Sequence, residues 1–118
     1  MSPCISIITP LYNCSQFLEV TLSSVLTQTY QNWEVIMVDD FSSDNSVSKA
    51  QVFAEKDHRI KLIQLEKNSG AAVARNKAIE AATGRFIAFL DSDDLWHPQK
   101  LEKQINFMLE NNYAFSYT

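Results

Sequence analysis

Short segments rich in β-branched residues alternate along this chain with longer segments whose apolar residues recur every three or four positions. The short segments have the character of β-strands, and the longer ones have the period of amphipathic helices. Strands are predicted at 5–9, 33–38, 60–65 and 85–90, with a fifth starting within 113–117. Such alternation requires right-handed crossovers, so it predicts an α/β fold with a mostly parallel sheet and helices on both faces.

Four helices are predicted between these strands, one at 15–28, one ending near 56, one following 68–70 and one starting at 97–98. Asn13 or Ser15 is the expected N-cap of the first helix, because short polar side chains accept hydrogen bonds from the first free N–H groups. Gly84 is expected to end the third helix, since glycine commonly follows the last helical turn. The core face of the fourth helix is predicted to consist of Leu101, Ile105, Met108 and Leu109.

The composition is that of an ordinary globular domain, and it excludes several classes of protein. Apolar residues make up 46% and charged residues 20% of the 118 residues, which argues against a disordered or fibrous chain. The formal net charge is −4 and the sequence contains no long run of Lys or Arg, so we expect no nucleic-acid binding. No stretch approaches the ~20 apolar residues of a membrane span, so we expect no transmembrane segment.

The cysteines and the N-terminal residues predict a cytoplasmic protein. Cys4 and Cys14 form no CxxC pair and do not lie among histidines, which argues against a structural zinc site. The first residues lack both the basic region and the apolar region of a signal peptide. A reducing compartment is therefore expected.

Four polar clusters each follow one of the first four predicted strands. They are Thr9 to Tyr12, Asp39 with Asp40, Asn68 to Gly70, and Asp91 to Asp94. Ligands of parallel α/β sheets bind beyond the carboxyl ends of the strands. The sequence therefore predicts one binding site, built by all four clusters, at that edge of the sheet.

The acidic cluster after the fourth predicted strand indicates a divalent cation. Asp91 and Asp93 have the spacing that lets two carboxylates converge on one hard cation where the chain turns, and Asp94 follows them. Mg²⁺ or Mn²⁺ would be held by these oxygens while a substrate phosphate completes its coordination. Such an ion would also stabilise a diphosphate leaving group as a Lewis acid. The alternative is a loop whose acids cap the next helix.

Two further positions near this edge are candidates for contact with a nucleotide base. Asp40 is expected to accept hydrogen bonds from a nucleobase N–H or a ribose hydroxyl, while the alternative for the acidic pair is that Asp39 caps the second helix. The ring of Tyr12 has the chemistry to stack on a base. Its alternative is burial as a core tyrosine with a satisfied hydroxyl group.

The start of the third helix offers candidates for phosphate contact. Asn68, Ser69 and Gly70 precede it, and the free N–H groups of a helix N-terminus favour phosphate, although a plain helix cap is the alternative. The Arg75 guanidinium suits bidentate phosphate contact, with a surface ion pair as its alternative. Trp96 either packs into the core, which we expect, or faces a sugar.

Four motifs in this order resemble a known family. They are Ser-Ile-Ile-Thr-Pro-Leu-Tyr-Asn at 6–13, Val-Asp-Asp-Phe-Ser-Ser-Asp at 38–44, Ala-Arg-Asn at 74–76 and Leu-Asp-Ser-Asp-Asp at 90–94. The chain resembles a family 2 glycosyltransferase, and the resemblance covers essentially all of it. It implies a Rossmann-like GT-A fold, a nucleotide-sugar donor, usually a UDP-sugar, and a divalent metal ion on the diphosphate.

The resemblance also implies a role for individual residues. Thr9, Pro10 and Tyr12 would border the base, Asp40 would meet the uracil, Asn68 and Arg75 would lie near the nucleotide, Asp91 would approach the ribose or the metal, and Asp93 would ligate the metal. Similar enzymes commonly invert the anomeric centre with a carboxylate base. That base lies in the later half of the family, so it is expected beyond residue 118.

Residues 1–118 are accordingly expected to be the nucleotide-sugar-binding part of a GT-A catalytic domain, incomplete at its C-terminus. The implied acceptor is a glycan or a lipid-linked glycan of surface polysaccharide synthesis, at a cytoplasmic location or the inner face of the membrane with peripheral contact. An incomplete sheet edge would favour a homo-oligomer.

Two alternatives belong to other classes of protein. The first is a catalytically inactive fragment that binds a nucleotide-sugar. The second is a metal-dependent phospho-receiver module, which places its paired acids after the first strand, where this chain has Thr9 and Pro10, and a lysine after the fifth.

Overall fold

Strands and helices alternate along the whole chain, as the sequence predicts. The computed structural model describes residues 4–91, 95–111 and 115–116. The elements are β1 (Ile5–Leu11), α1 (Leu18–Leu26), β2 (Trp33–Asp39), α2 (Ser46–Lys56), β3 (Ile60–Gln64), α3 (Ala71–Ala81), β4 (Phe86–Phe89), α4 (Lys100–Asn111) and β5 (Phe115–Ser116). The five strands lie in the order β3-β2-β1-β4-β5, and all neighbours are parallel. The predicted α/β class is confirmed.

The two central strands, β1 and β2, are buried along almost their whole length. They pair in register from Ile5 opposite Trp33 to Leu11 opposite Asp39. A strand covered on both faces is apolar at successive positions, which is why these segments contain continuous runs of Ile, Val and Met. β3 lies at the edge of the sheet and is more polar and more exposed.

Helices cover both faces of the sheet. Side chains of α1, α2 and α4 pack on one face in a large core with residues such as Leu22, Trp33 and Leu101. α3 packs on the other face, where Ala74 and Ala78 are fully buried in a small core with Ile8. Small side chains on the inner stripe of α3 allow its backbone to approach the sheet closely, which keeps its N-terminus near the strand ends.

β1 continues through Pro10 to Leu11, beyond the predicted end at Thr9. Proline has no N–H group, so it is tolerated in a strand only where no carbonyl group of a partner strand needs a hydrogen-bond donor. Among the described residues, pairing between β1 and β4 ends at Ile8 opposite Phe89, so no described part of β4 pairs with β1 at Pro10. The other side of the strand stays paired, since Leu11 O accepts the N–H of Asp40 at 2.8 Å.

Several predicted helix ends are wrong. α1 begins at Leu18 with Phe17 as N-cap and no side-chain cap, so neither Asn13 nor Ser15 caps it. α3 ends at Ala81, and Gly84 is not its terminating residue. A Cβ atom at Gly84 would lie 2.5 Å from Ser6 Oγ, so the glycine permits close approach to β1 instead.

α4 begins at Lys100, later than predicted. Leu101 and Ile105 form its core face as expected, but Leu109 is exposed. The side chain of Met108 lies outside the described residues. Within the described ranges, none of the helices combines the length and the apolar composition needed to cross a bilayer.

The buried carboxylate of Glu34 joins three strands near the amino end of the sheet. It accepts hydrogen bonds from Ser6 Oγ at 2.6 Å, from Thr83 N at 2.7 Å and from Lys61 Nζ at 2.9 Å. Burial raises the pKa of Glu34, but the hydrogen bonds from Ser6, Lys61 and Thr83 outweigh it and lower the pKa to about 2. Glu34 is therefore charged in the folded protein at neutral pH.

A second buried polar side chain, Gln28, connects the end of α1 to the segment before α4. Its Nε2 donates to Ser24 O at 3.0 Å and to His97 O at 2.7 Å, and its Oε1 accepts from Leu101 N at 3.0 Å. The neighbouring Thr29 N–H donates to Pro98 O at 2.8 Å. The chain that follows the acidic cluster is thus held against α1.

Candidate functional site

An open cavity of about 620 Å³ lies beyond the carboxyl ends of β1, β2 and β4. The strand order reverses between β1 and β4, and crevices of α/β sheets form where the chain turns to opposite sides of the sheet. Residues of all four predicted clusters reach this cavity. The predicted site residues that line it are Pro10, Tyr12, Asp40, Asn68, Arg75 and Asp91.

Thr9 is a predicted nucleotide-binding residue, but it does not line the cavity. It is fully buried within β1, which continues to Leu11. Its Oγ1 atom has no hydrogen-bond partner among the residues that the structure describes. The cavity wall above it is formed by Pro10 and Tyr12 instead.

Asp40 closes the end of β2 against the start of α3. It is 4% exposed, and its Oδ1 accepts from Ser69 N at 2.6 Å while its Oδ2 accepts from Gly70 N at 2.9 Å. Both N–H groups belong to residues that precede α3, so the carboxylate fixes the turn into the helix, whose N-cap residue Gly70 has no side-chain cap. A carboxylate oxygen has more than one acceptor position, so Asp40 retains capacity for a donor in the cavity.

Gly70 has a backbone conformation that explains why a glycine precedes α3. Its φ is +97°, a value that L side chains rarely adopt. No atom would lie within 4 Å of an added Cβ, so backbone strain rather than crowding selects glycine. This conformation turns the N–H of Gly70 toward Asp40.

Asp39, beside Asp40, has a different function. Its two carboxylate oxygens accept from Ser42 N at 2.9 Å and from Ser42 Oγ at 2.6 Å, which forms the turn after β2. The alternative that Asp39 caps the second helix is wrong, because α2 begins at Ser46 with Asn45 as N-cap and no side-chain cap.

Aromatic side chains are exposed at the wall of the cavity. Tyr12 is 53% exposed, so the alternative of a core tyrosine is wrong. Phe17, which precedes α1, also lines the cavity and is half-exposed. No role is predicted for Phe17 from the sequence. The feature that could have indicated one is its position, because this aromatic residue lies just outside the apolar stripe of the helix.

Arg75 and Asp91 form an ion pair on the wall of the cavity. Arg75 Nη2 lies 3.5 Å from Asp91 Oδ1, and the two side chains are 41% and 61% exposed. The predicted alternative of a surface ion pair is therefore present, at a position that also faces the cavity. Exposed pairs of this kind contribute little to stability, so both groups are able to exchange partners when a charged ligand enters.

The sequence of this chain matches the model of a known protein family. The model of the family described as "Glycosyl transferase family 2" matches residues 6–118. The chain belongs to this family. The alternative of a phospho-receiver module is therefore wrong.

Curated relatives in the family are longer than this chain. The glycosyltransferase TuaG of Bacillus subtilis, named for teichuronic acid biosynthesis, is 53% identical over 116 residues, which are 98% of this chain and 46% of TuaG. The glucosyltransferase WfgD of Escherichia coli, named as acting from UDP-Glc on α-D-GlcNAc-diphosphoundecaprenol, is 54% identical over 113 residues, which are 96% of this chain and 44% of WfgD. This family 2 chain thus spans about half the length of the curated relatives it matches.

Solved structures of similar fold are GT-A glycosyltransferases. Staphylococcus aureus TarS 1-349 in complex with UDP has a TM-score of 0.84 and 33% identity over 92% of this chain and 32% of that one. The mannosyltransferase PcManGT of Pyrobaculum calidifontis, in complex with GDP-Man and Mn²⁺, has a TM-score of 0.85 and 28% identity over 92% of this chain and 33% of that one. The GT-A fold that the resemblance implied is confirmed for this family 2 chain.

The acidic cluster of this family 2 chain is described only in part. Asp91 is exposed and lines the cavity, where its carboxylate is an oxygen ligand of the type that Mg²⁺ and Mn²⁺ prefer. Asp93, the predicted metal ligand, and Asp94 lie outside the described residues. Within 4–91 and 95–111, no group of three or more His, Cys, Asp or Glu side chains is close enough to hold a metal ion.

Trp96, just after the acidic cluster, packs into the large core as expected. Its backbone N–H donates to Ser24 Oγ at 3.2 Å. In this family 2 chain the tryptophan therefore anchors the segment behind the cluster on α1.

Proposed function

We propose that residues 1–118 form the nucleotide-sugar-binding part of a glycosyltransferase that transfers a sugar from a UDP-sugar to a glycan or lipid-linked acceptor. The observation that carries this proposal is the cavity at the carboxyl ends of the strands. Its lining combines an exposed aromatic ring, a buried carboxylate and an exposed cation, as a nucleoside diphosphate requires.

The base of the nucleotide would lie between Tyr12 and Asp40. Pro10 and Tyr12 would border it, with the Tyr12 ring stacked on its face, and Thr9 would support them from within β1 without touching the ligand. An ionised carboxylate only accepts hydrogen bonds, so Asp40 favours a base that presents a ring N–H, such as uracil. TarS, the similar structure described with UDP, supports this choice.

The diphosphate would lie near the other wall of the cavity. Arg75 would leave Asp91 to donate to the phosphate oxygens, and the amide of Asn68 would lie nearby. Asp91 and Asp93 would hold Mg²⁺ or Mn²⁺ on the diphosphate. That ion would supply positive charge and stabilise the leaving group. PcManGT, described with Mn²⁺, supports a divalent cation.

The transfer itself would proceed by inversion, with a carboxylate base from beyond residue 118. The name of WfgD, which contains an undecaprenol-linked acceptor, supports a lipid-linked glycan as acceptor and polysaccharide synthesis as the process. The cytoplasm or the inner face of the membrane would be the location, because nucleotide-sugar donors are supplied there.

Calorimetric titration of UDP into the purified protein, with and without Mn²⁺, tests the nucleotide site. We expect Mn²⁺-dependent binding that Asp93→Ala abolishes. Asp57→Ala is a matched control, because Asp57 is an acidic residue that pairs with Arg59 and does not line the cavity. Equal binding by the Asp93→Ala variant would contradict the proposed metal ligand, and no binding at all would contradict the nucleotide site.

Transfer from radiolabelled UDP-sugars to a polyprenyl-diphosphate-linked acceptor tests the reaction. Binding of UDP without transfer from any UDP-sugar would favour the alternative of an inactive nucleotide-sugar-binding fragment.

A further inference from the structure

The loops that follow β1 and β2 are joined by a row of hydrogen bonds, which we call the loop clasp. Three consecutive backbone N–H groups of the first loop each donate to a side-chain oxygen of the second loop or of the first residue of α2, which the loop clasp includes. The three bonds run from Asn13 N to Ser42 Oγ at 3.0 Å, from Cys14 N to Ser46 Oγ at 2.9 Å and from Ser15 N to Asp44 Oδ2 at 3.1 Å. No turn within the first loop provides these acceptors, so its shape depends on the second loop.

The acceptor oxygens of the loop clasp are themselves held in place. Ser42 Oγ donates its proton to Asp39 Oδ1 at 2.6 Å, and Ser46 Oγ donates to Asp44 Oδ1 at 2.6 Å. A hydroxyl group has one proton, so these bonds leave the lone pairs of both serines facing the first loop. Asp44 thus accepts a backbone N–H directly and orients a second acceptor.

Asp44 is ionised in the folded protein at neutral pH. Desolvation raises the pKa of Asp44, but the hydrogen bonds from Ser46 and Ser15 outweigh it and lower the pKa to about 2. Lys49 completes this part of the clasp, since its Nζ donates to Ser15 O at 2.7 Å.

Tyr12 lies between two fixed points of the loop clasp. On one side Leu11 O accepts from Asp40 N at 2.8 Å, and on the other side Asn13 Oδ1 accepts from Ser43 N at 2.8 Å. Asn13 has a φ of +47°, a conformation that costs energy unless surrounding contacts maintain it. The backbone at Tyr12 is thereby fixed while its ring stays exposed in the cavity.

We propose that the loop clasp fixes Tyr12 in the orientation that stacks on the nucleotide base, and that Asp44 is a positioning residue for base recognition. The inference rests on the proposed function of the cavity. Fixing an aromatic ring before the ligand arrives lowers the entropy lost on binding, which raises affinity without a new contact. Loss of the clasp is expected to weaken binding only of ligands that carry a base.

A double-mutant cycle with calorimetric UDP binding tests this coupling in the purified protein. Asp44→Asn is expected to weaken UDP binding by roughly tenfold, the scale of one charge-assisted hydrogen bond, and to change it by less than about twofold in a Tyr12→Ala background. Binding of inorganic pyrophosphate with Mn²⁺, a probe without a base, is expected to stay unchanged. Asp57→Asn is the control. The hydrogen bond from Arg59 also lowers the pKa of Asp57 to about 2, but Asp57 does not line the cavity.

Two results would overturn this inference without overturning the proposed function. One is an unchanged UDP affinity in Asp44→Asn, and the other is an equal fold-loss with and without Tyr12, which would show that Asp44 acts independently of the ring. Failure of the unsubstituted protein to bind UDP would instead overturn the proposed function and this inference with it. Should Asp44→Asn lose the far-UV circular dichroism of the folded protein, Ser42→Ala takes its place in the cycle, since it removes the acceptor for Asn13 N and the bond to Asp39 while Asp44 stays in place.

Discussion

Glu34 and Asp40 are buried carboxylates at opposite ends of the same strand. Glu34 lies near the start of β2 and is 6% exposed, and Asp40 directly follows β2 and is 4% exposed. Each accepts backbone N–H bonds from a distant segment, Glu34 from Thr83 and Asp40 from Ser69 and Gly70. Both side chains therefore hold a loop against the sheet.

The two carboxylates differ in what else surrounds them. Glu34 also contacts the Lys61 ammonium group and the Ser6 hydroxyl, and it lines none of the cavities described above. Asp40 has no ion-pair partner among the described residues, and it lines the cavity beside Tyr12. Burial of a carboxylate thus does not by itself mark a binding site. Asp40 is the candidate because it lies beside an open cavity, where a ligand would supply further hydrogen-bond donors.

The largest expected effect is on nucleotide binding at Asp40. Asp40→Asn replaces part of a charged acceptor with a donor, so UDP binding should weaken by about 2–3 kcal/mol, the value of a hydrogen bond to a charged group. Calorimetric titration measures it, with Glu34→Gln as the control at the other end of β2. An equal loss of affinity in Glu34→Gln would break the comparison.

The next effect is on stability at Glu34. Glu34→Gln should lower the free energy of unfolding by about 2 kcal/mol, because the Lys61 ammonium loses its charged partner and Ser6 and Thr83 retain a weaker acceptor. Urea denaturation measures the change. UDP affinity should stay within about twofold of that of the unsubstituted protein. A stability equal to that of the unsubstituted protein would show that the network is not structural.

Acidification should remove part of the same contribution. The pKa of Glu34 is about 2 in the folded protein and 4.5 for the free side chain, so its stabilisation is complete above pH 4.5 and is lost as pH falls toward 2. The stability difference between the unsubstituted protein and Glu34→Gln should therefore shrink across that window. Urea denaturation at successive pH values measures it, and a constant difference would contradict the assigned pKa.

The smallest expected effect is on stability at Arg75. Arg75→Ala should change the free energy of unfolding by less than about 0.5 kcal/mol, because its ion pair with Asp91 is largely exposed. The same variant should weaken UDP binding if Arg75 contacts the diphosphate, whereas Lys77→Ala, on the same helix and paired with Glu80, should not. A larger loss of stability than in Lys77→Ala would show a structural ion pair.

Much of the fold follows from the order of local patterns. The central strands are apolar at successive positions, as strands that are buried on both faces are. The helices between them have an apolar stripe that faces the sheet. The parallel arrangement brings Tyr12, Asp40 and Asp91 to one cavity, as their positions after the strands predict, and Arg75 reaches it from α3. Roles of individual residues in nucleotide and metal binding stay predictions.

What the sequence did not predict depends on contacts between distant segments. Asp40 bonds the N–H of Gly70, the residue before α3, from 30 residues away, which no local rule detects. Gly84 resembles a helix terminator, yet a side chain at this position would collide with Ser6 of β1. Thr9 was placed at the edge of the sheet because proline commonly ends strands, but β1 continues past Pro10 where β4 has already stopped pairing.

The contacts of Gln28 affect the order of events during synthesis of the chain. Its amide bonds to His97 and Leu101, which are 69 and 73 residues later in the sequence. Until those residues leave the ribosome, the amide is hydrated and the end of α1 lacks the segment that covers it. Contacts between such distant positions form slowly, because a long loop must close first. α1 is therefore expected to reach its final packing only after α4 has been made.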